Sequence, residues 1–185
     1  MTRPVSTGRL VTEDEVVPGH EGTVMSLITC LWFDGEAEEA AQFYTSVFPD
    51  SRITGVTHNT DAAPGENGAV LTVEFEVNGQ QFVGLNGGPA FSFSEAISFQ
   101  VMCKDQAEVD RYWAILSEGG QEGPCGWLKD RYGLSWQVVP AVLPQLLNDP
   151  DRGRADRAMK AMMGMGKLDI AGIAAAADGE PAPAL

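Results

Sequence analysis

The segment CGWLKDRYGLSWQVVP, from Cys125 to Pro140, holds the residues best suited to chemistry. Cys125 is a candidate catalytic nucleophile, because a cysteine attacks electrophilic carbon once a base or a positive neighbour lowers its pKa. Lys129 is the next cation along the segment, and it could assist only if its side chain lies on the same face. Packing at the rim of a strand is the alternative role for Cys125.

The cysteines and histidines are not spaced as a metal site requires. The three cysteines are Cys30, Cys103 and Cys125, and the two histidines are His20 and His58. No C-x-x-C pair occurs, which excludes a zinc knuckle and a thioredoxin motif. An odd number of widely spaced cysteines also argues against a disulfide framework and favours a reducing cytoplasm.

The composition is that of an acidic, folded protein. Apolar residues make up 44% of the 185 residues, and the formal net charge is −14. A negative surface repels phosphate backbones and anionic lipid head groups, so we expect no nucleic acid and no membrane as partners. The opening MTRPVSTGRLVTEDEVVPGHEG lacks the apolar region of a signal peptide, and we expect a cytoplasmic location.

Five elements are predicted in the first half of the chain. VMSLITCLWF is typical of a buried strand, and EAEEAAQFYTSVF has apolar residues at helical spacing, with Asp34 as the expected N-cap. SRITGVTH predicts a further strand. AVLTVEFEV and QQFVGLNGG are joined by Asn78-Gly79, the two-residue connection of a type I′ hairpin.

The same order recurs in the second half. AISFQVMC predicts a strand, Asp105 and Glu108 form a capping box for the helix QAEVDRYWAILSE, and CGWLKD-RYG-LSWQVVP predicts a closing hairpin. The pattern indicates an α+β protein with tandem βαβββ modules, whose sheets must pair edge to edge or across a dimer. The segments after Pro140 predict C-terminal helices.

These patterns divide the chain into regions. The polar opening predicts a flexible leader, and the low-complexity DGEPAPAL predicts a disordered tail. The predicted regions are the leader at 1–23, the paired modules at 24–140 (24–90 and 91–140), the C-terminal helices at 141–177 and the tail at 178–185.

Several motifs taken together carry a family resemblance. They are FYTSVFPDS after a WFDG strand end, NGQQFVGLNGGPAF, and CGWLKDRYGLSWQVVP followed by AMMGMGKLDI. Across about residues 24–175 the chain resembles the PhnB-like branch of the vicinal oxygen chelate superfamily, which includes glyoxalases, fosfomycin- and bleomycin-resistance proteins and extradiol dioxygenases. The resemblance implies a glyoxalase-like fold, with the tandem modules forming a cupped mixed sheet, usually in a homodimer.

The resemblance also implies where a metal would be held. Metal-using members of the superfamily hold the ion with His or Glu side chains from the first and last strands of each module. The corresponding positions here are Thr29, Val83, Ala96 (or Ser98, one pleat further) and Gln137. Divalent cations need carboxylate, imidazole or thiolate ligands, so we expect no metal and no cofactor.

Members of this branch are often labelled 3-demethylubiquinone-9 3-methyltransferase. Methyl transfer from S-adenosylmethionine commonly relies on a Gly-rich turn that opens a helix in a doubly wound sheet. LNGGPAF is Gly-rich, but Pro89 follows the glycines and the surrounding pattern is not that of a doubly wound sheet. A loop that ends a strand is the favoured interpretation.

Period-2 alternation predicts which strand residues face the cup. Apolar walls with neutral hydrogen-bonding groups are typical of a small-molecule pocket. The expected ligand-binding residues are Thr29, Leu31, Phe33, Val83, Leu85, Ser98, Gln100, Ser135 and Gln137, with Trp127 at the rim. The same alternation directs Cys30, Trp32, Phe99, Cys103 and Trp136 toward the helices.

We therefore expect a metal-independent PhnB-like protein that binds a small organic molecule in the sheet cavity, as a homodimer. Its physiological reaction does not follow from the sequence. One alternative is an enzyme: a transferase, as the label implies, or a lyase or isomerase that uses Cys125 or a carboxylate such as Glu74 or Asp130. Another is a subunit whose cup is filled by side chains and whose role lies in its contacts.

Overall fold

A computed structural model describes residues 27–62 and 65–181 of the chain. The predicted leader, residues 24–26 of the predicted first strand and residues 182–185 of the predicted tail lie outside these ranges. The first module contains β1 (Thr29–Phe33), α1 (Ala37–Val47), β2 (Arg52–His58), β3 (Val70–Val77) and β4 (Gln80–Asn86). The second contains β5 (Phe99–Cys103), α2 (Gln106–Ser117), β6 (Gln121–Glu122), β7 (Trp127–Lys129) and β8 (Ser135–Pro140).

Each module forms its own four-stranded mixed sheet. Sheet 1 has the order β1-β4-β3-β2 and sheet 2 the order β5-β8-β7-β6. The first strand of each module pairs in parallel with the last, and the other pairings are antiparallel. The predicted repeat is confirmed, and so is the hairpin, since Asn78 and Gly79 have φ angles of 47° and 81°.

The two modules share one apolar core, because the helix-covered faces of both sheets turn toward it. Phe82 of β4 contacts Phe99 of β5, with ring centroids 5.3 Å apart. Tyr44 of α1 lies 5.6 Å from Trp136 of β8. We call the opposite side of each sheet, which the helix of its own module does not cover, the open face.

One of the two predicted helix caps is correct. Asp105 Oδ1 accepts a hydrogen bond from the Glu108 amide at 2.9 Å, as the capping box predicts. The prediction that Asp34 caps α1 is wrong. The Ala37 amide instead donates to Asn86 Oδ1 at 2.9 Å, from the end of β4. A cap supplied by a residue 49 positions away leaves no signal in the local sequence.

The C-terminal helices are α3 (Leu143–Leu147), α4 (Arg152–Met163) and α5 (Ile170–Asp178). Helix α5 therefore extends to the first residue of the predicted tail. None of the helices in the described ranges has the length and apolar character needed to cross a lipid bilayer. The helices surround a smaller apolar cluster made of Leu143, Ala158, Leu168, Ile173 and Ala177.

Candidate functional site

The open face of sheet 2 gathers several polar side chains in register. Gln100 of β5 lies opposite Gln137 of β8, which lies opposite Trp127 of β7. Ser135 of β8 lies opposite Lys129 of β7. Residues paired across neighbouring strands point to the same side of a sheet, so these five side chains form one surface. We call this surface the sheet-2 face.

Two glutamines and a serine on this face form a chain of hydrogen bonds. Gln100 Nε2 donates to Gln137 Oε1 at 3.1 Å, and Gln137 Nε2 donates to Ser98 Oγ at 2.8 Å. The structure thus brings together three residues that alternation predicted to share a face. Each amide is oriented by its neighbour, and the group as a whole is neutral. Their contact with a ligand stays a prediction.

A pocket of about 420 Å³ lies against the sheet-2 face. Ser135, on the same face, is completely buried, and its Oγ has no hydrogen-bond partner among the described residues. A buried hydroxyl without a protein partner costs free energy unless a water molecule or a ligand bonds to it. The pocket is lined by Glu95, Gln121, Glu122, Gly123, Pro124, Trp127, Leu128, Lys129 and Ser135.

One ion pair crosses this pocket. Lys129 Nζ lies 2.7 Å from Glu95 Oε1, which belongs to the irregular linker at 87–98 between β4 and β5. The side chains of Lys129 and Glu95 are 31% and 64% exposed. The hydrogen bond from Lys129 holds the pKa of the Glu95 carboxyl below its ordinary value. The sequence placed Lys129 near Cys125 and did not indicate a partner for it in the linker.

The predicted orientation of β1 is wrong. Leu31 and Phe33 are buried in the core, only 5% and 4% exposed, and Thr29 shares their side of the strand. Cys30 is exposed and Trp32 half-buried on the open face of sheet 1. The sequence TCLWF offers apolar residues to both sides, so alternation alone could not tell which side meets the helix.

The prediction for β4 is correct in orientation. Val83 and Leu85 lie opposite Cys30 and Trp32 and share their open face, and both are half-buried. Gly84 points the other way, where an added Cβ would come within 3.2 Å of the Ala37 Cβ on α1. The close approach of α1 at Gly84 therefore decides which side of sheet 1 is covered.

The residues at the superfamily's metal positions do not fit a divalent cation. The structure pairs Val83 with Cys30 and Gln137 with Gln100, and Ala96 lies in the linker before β5. The hydroxyl, aliphatic and amide groups of Thr29, Val83, Ala96 (or Ser98) and Gln137 include none of the carboxylate, imidazole or thiolate ligands that such an ion needs. In the described part of the chain, no three His, Cys, Asp or Glu side chains gather as a metal site requires.

Cys125 occupies a tight turn beside helix α4. Its φ is 57° and that of Gly126 is 82°, and the Trp127 amide donates to the Pro124 carbonyl at 3.0 Å, as in a type I′ turn. The Cys125 thiol lies 3.6 Å from the Met163 sulfur. A thioether cannot take the thiol proton, and Lys129 is paired with Glu95. This geometry favours rim packing over nucleophilic catalysis.

The other cysteines differ in their surroundings from the prediction. Cys30 is exposed on the open face of sheet 1, whereas it was predicted to point into the core. Cys103 is buried as predicted. Burial, with a smaller effect from Glu108 and Asp105, raises the pKa of the Cys103 thiol to about 11. Cys103 is therefore protonated and unreactive at neutral pH.

Asp130 joins the two modules inside the core. It is only 2% exposed, and its Oδ2 accepts hydrogen bonds from the Tyr44 hydroxyl and the Trp136 indole, each at 2.8 Å. Its Oδ1 accepts from the amides of Tyr132 at 2.9 Å and Leu134 at 3.0 Å. Burial raises the pKa of the Asp130 carboxyl, although the four donors oppose this. With both oxygens occupied, Asp130 is a structural residue and not the catalytic carboxylate of the enzyme alternative.

Comparison with known proteins agrees with this architecture. Residues 25–139 match the family model described as 3-demethylubiquinone-9 3-methyltransferase. The chain is 34% identical to a putative 3-demethylubiquinone-9 3-methyltransferase, PhnB protein, from Bacillus cereus, over 63% of this chain and 100% of that one, with a TM-score of 0.57. Protein PA1353 from Pseudomonas aeruginosa is 19% identical over 63% of this chain and 97% of that one, with a TM-score of 0.52, which shows a shared fold alone. No curated protein matches the sequence.

Proposed function

Since the chain belongs to the 3-demethylubiquinone-9 3-methyltransferase family, in its PhnB-like form, we propose that it binds a small organic molecule in the pocket on the sheet-2 face without a metal. The observation that carries this proposal is the buried Ser135 hydroxyl, which has no partner among the described residues and lines a pocket beside Trp127. A ligand that hydrogen-bonds to Ser135 would remove the cost of that unpaired group.

The dimensions and lining of the pocket support a small molecule. Its volume of about 420 Å³ falls in the range of roughly 300–1,000 Å³ typical of ligand sites. Trp127 and Pro124 supply apolar surface, while Gln121 and Ser135 supply hydrogen-bonding groups. A few polar groups at fixed positions in an apolar wall orient the ligand and make the binding specific.

We propose binding in preference to catalysis because the polar groups of the pocket are not arranged as a nucleophile with a base. Ser135 faces Lys129 across the sheet, and Lys129 is already paired with Glu95. Catalysis by a serine or cysteine needs a base within hydrogen-bonding distance of the nucleophile. The fold hosts many activities, so family membership does not select one of them.

Methyl transfer is the activity that the family description names. The path of the chain after β4 does not favour it. After β4 the Gly87-Gly88 pair continues into the irregular linker and then into β5. A cofactor-binding glycine turn would instead open a helix, whose N-terminus faces the cofactor. We expect calorimetric titration with S-adenosylmethionine to give no binding heat, and saturable binding would favour the transferase alternative.

A ligand screen by thermal shift on protein dialysed against EDTA tests the proposed binding. We expect at least one small molecule to raise the melting temperature of the wild-type protein but not of a Trp127→Ala variant. Ser135→Ala should keep or slightly raise the stability of the free protein while weakening the ligand shift, because it removes a buried unpaired hydroxyl. Ser46→Ala, an exposed helix serine, is the matched control. Equal ligand shifts in all variants would contradict the proposal.

We further propose that two copies of the chain complete the cup, each covering the sheet-2 face of the other with the open face of sheet 1. Exposed apolar side chains near these faces support this, since Met102, Ile97 and Phe91 are 50%, 70% and 68% exposed. Light scattering on purified protein is expected to give twice the chain mass. A mass of 19.8 kDa would contradict a homodimer.

A further inference from the structure

Lys129 brings a positive charge into the pocket on the sheet-2 face. It lies between Gln121 and Ser135, with which it is paired across β6 and β8. Its side chain is about two thirds buried, and its ion-pair partner is Glu95. Lysine presents three donors and no acceptor, so the group that binds it must bring oxygen atoms with negative charge or lone pairs.

The resident carboxylate satisfies only part of this site. Glu95 reaches Lys129, but the Ser135 hydroxyl on the next strand remains without a partner among the described residues. A carboxylate has two oxygens and can accept from an ammonium and a hydroxyl at once. The site thus has two donor groups, the ammonium and the hydroxyl, and the protein's own carboxylate pairs only with the ammonium.

Glu95 is also easy to displace. It belongs to the irregular linker at 87–98, and its side chain is 64% exposed. The Glu95 end of this ion pair is open to solvent, so water and salt compensate the charge of the carboxylate and its release costs little free energy. The second carboxylate in the pocket lining, Glu122, is held elsewhere by the indole of Trp113 at 2.9 Å. A ligand can therefore displace Glu95 from Lys129, and Glu122 does not compete for it.

We propose that the ligand of this pocket carries a carboxylate, which replaces Glu95 at Lys129 and also accepts a hydrogen bond from Ser135. This inference rests on the proposed function and specifies the ligand class. The body of the ligand lies against Trp127 and Pro124, which favours an aromatic or alkyl carboxylic acid. Glu95 then acts as an internal competitor, which pairs with Lys129 when no ligand is bound.

Calorimetric titration with benzoate and with its neutral counterpart benzamide tests the proposal. Lys129→Met is expected to weaken benzoate binding about tenfold and Ser135→Ala about fivefold, since each removes one donor to the anion. Glu95→Gln is expected to strengthen benzoate binding about fivefold, because the internal competitor loses its charge. Lys104→Met, which removes a lysine paired with Glu108 away from the pocket, is the control and should change nothing.

The experiment distinguishes failure of the carboxylate assignment from failure of the proposed ligand binding. If benzoate and benzamide bind equally, and Lys129→Met changes neither, while Trp127→Ala abolishes both, the pocket works but the carboxylate assignment is wrong. Weaker benzoate binding in Glu95→Gln would overturn the displacement of Glu95. If neither probe nor any screened compound binds wild-type protein, the proposed function itself is wrong.

Discussion

Replacing Asp130 with alanine is expected to lower the free energy of unfolding by about 3–5 kcal/mol. The substitution leaves four donors without their acceptor in a buried site: the Tyr44 hydroxyl, the Trp136 indole and the amides of Tyr132 and Leu134. It also removes the buried hydrogen bond between Tyr44 of helix α1 in the first module and the closing hairpin of the second. Chemical denaturation followed by circular dichroism measures the loss.

Two matched variants identify the origin of this loss. Tyr44→Phe removes one of the four donors and should cost about 1–2 kcal/mol. Asp130→Asn keeps an oxygen acceptor but turns an amino group toward donors, so its cost should lie between those of Tyr44→Phe and Asp130→Ala. A cost below about 1 kcal/mol for Asp130→Ala would show that the carboxylate does not link the modules.

Gly126→Ala is the second substitution with a large expected effect, about 2–3 kcal/mol of destabilisation. Gly126 has φ 82°, and an added Cβ would lie 2.8 Å from the Val138 carbonyl oxygen and 3.1 Å from the Leu168 side chain. Its amide and carbonyl bond to Gly166 and Val138, which connects the hairpin to the C-terminal segment. Thermal or chemical denaturation gives the change in stability.

The neighbouring residue supplies the control for that prediction. Cys125 has φ 57°, a conformation that costs free energy for any residue with a Cβ. Cys125→Gly should therefore leave the stability unchanged or raise it by up to about 1 kcal/mol. If Gly126→Ala proved neutral, or Cys125→Gly cost more than Gly126→Ala, the turn would not have the conformation described.

The elements could be predicted because their signals are local. Asn78-Gly79 specifies the hairpin, Asp105 with Glu108 specifies the start of α2, and the repetition of the whole order indicates two modules. The faces of β5 and β8 were also predictable. In β8, Trp136 and Val138 point into the core, so Ser135 and Gln137 must point away.

Features that depend on contacts between residues far apart in the chain could not be predicted from the sequence. The side of β1 that meets α1 is decided by the close approach of Ala37 to Gly84, and the first helix is capped by Asn86. In the sequence, Asp130 resembles a polar turn residue. Its buried position depends on a hydrogen bond donated by Tyr44, 86 positions away. The pairing of Lys129 with Glu95 depends on the path of an irregular linker.

The sheet-2 face is proposed to bind its ligand without a metal. The direct test is calorimetric titration of EDTA-dialysed protein with the best compound of the ligand screen, repeated after addition of Mn²⁺ and of Zn²⁺. We predict the same dissociation constant in all three conditions and no binding to the Trp127→Ala variant. Binding that appears only after Mn²⁺ or Zn²⁺ is added would contradict the account.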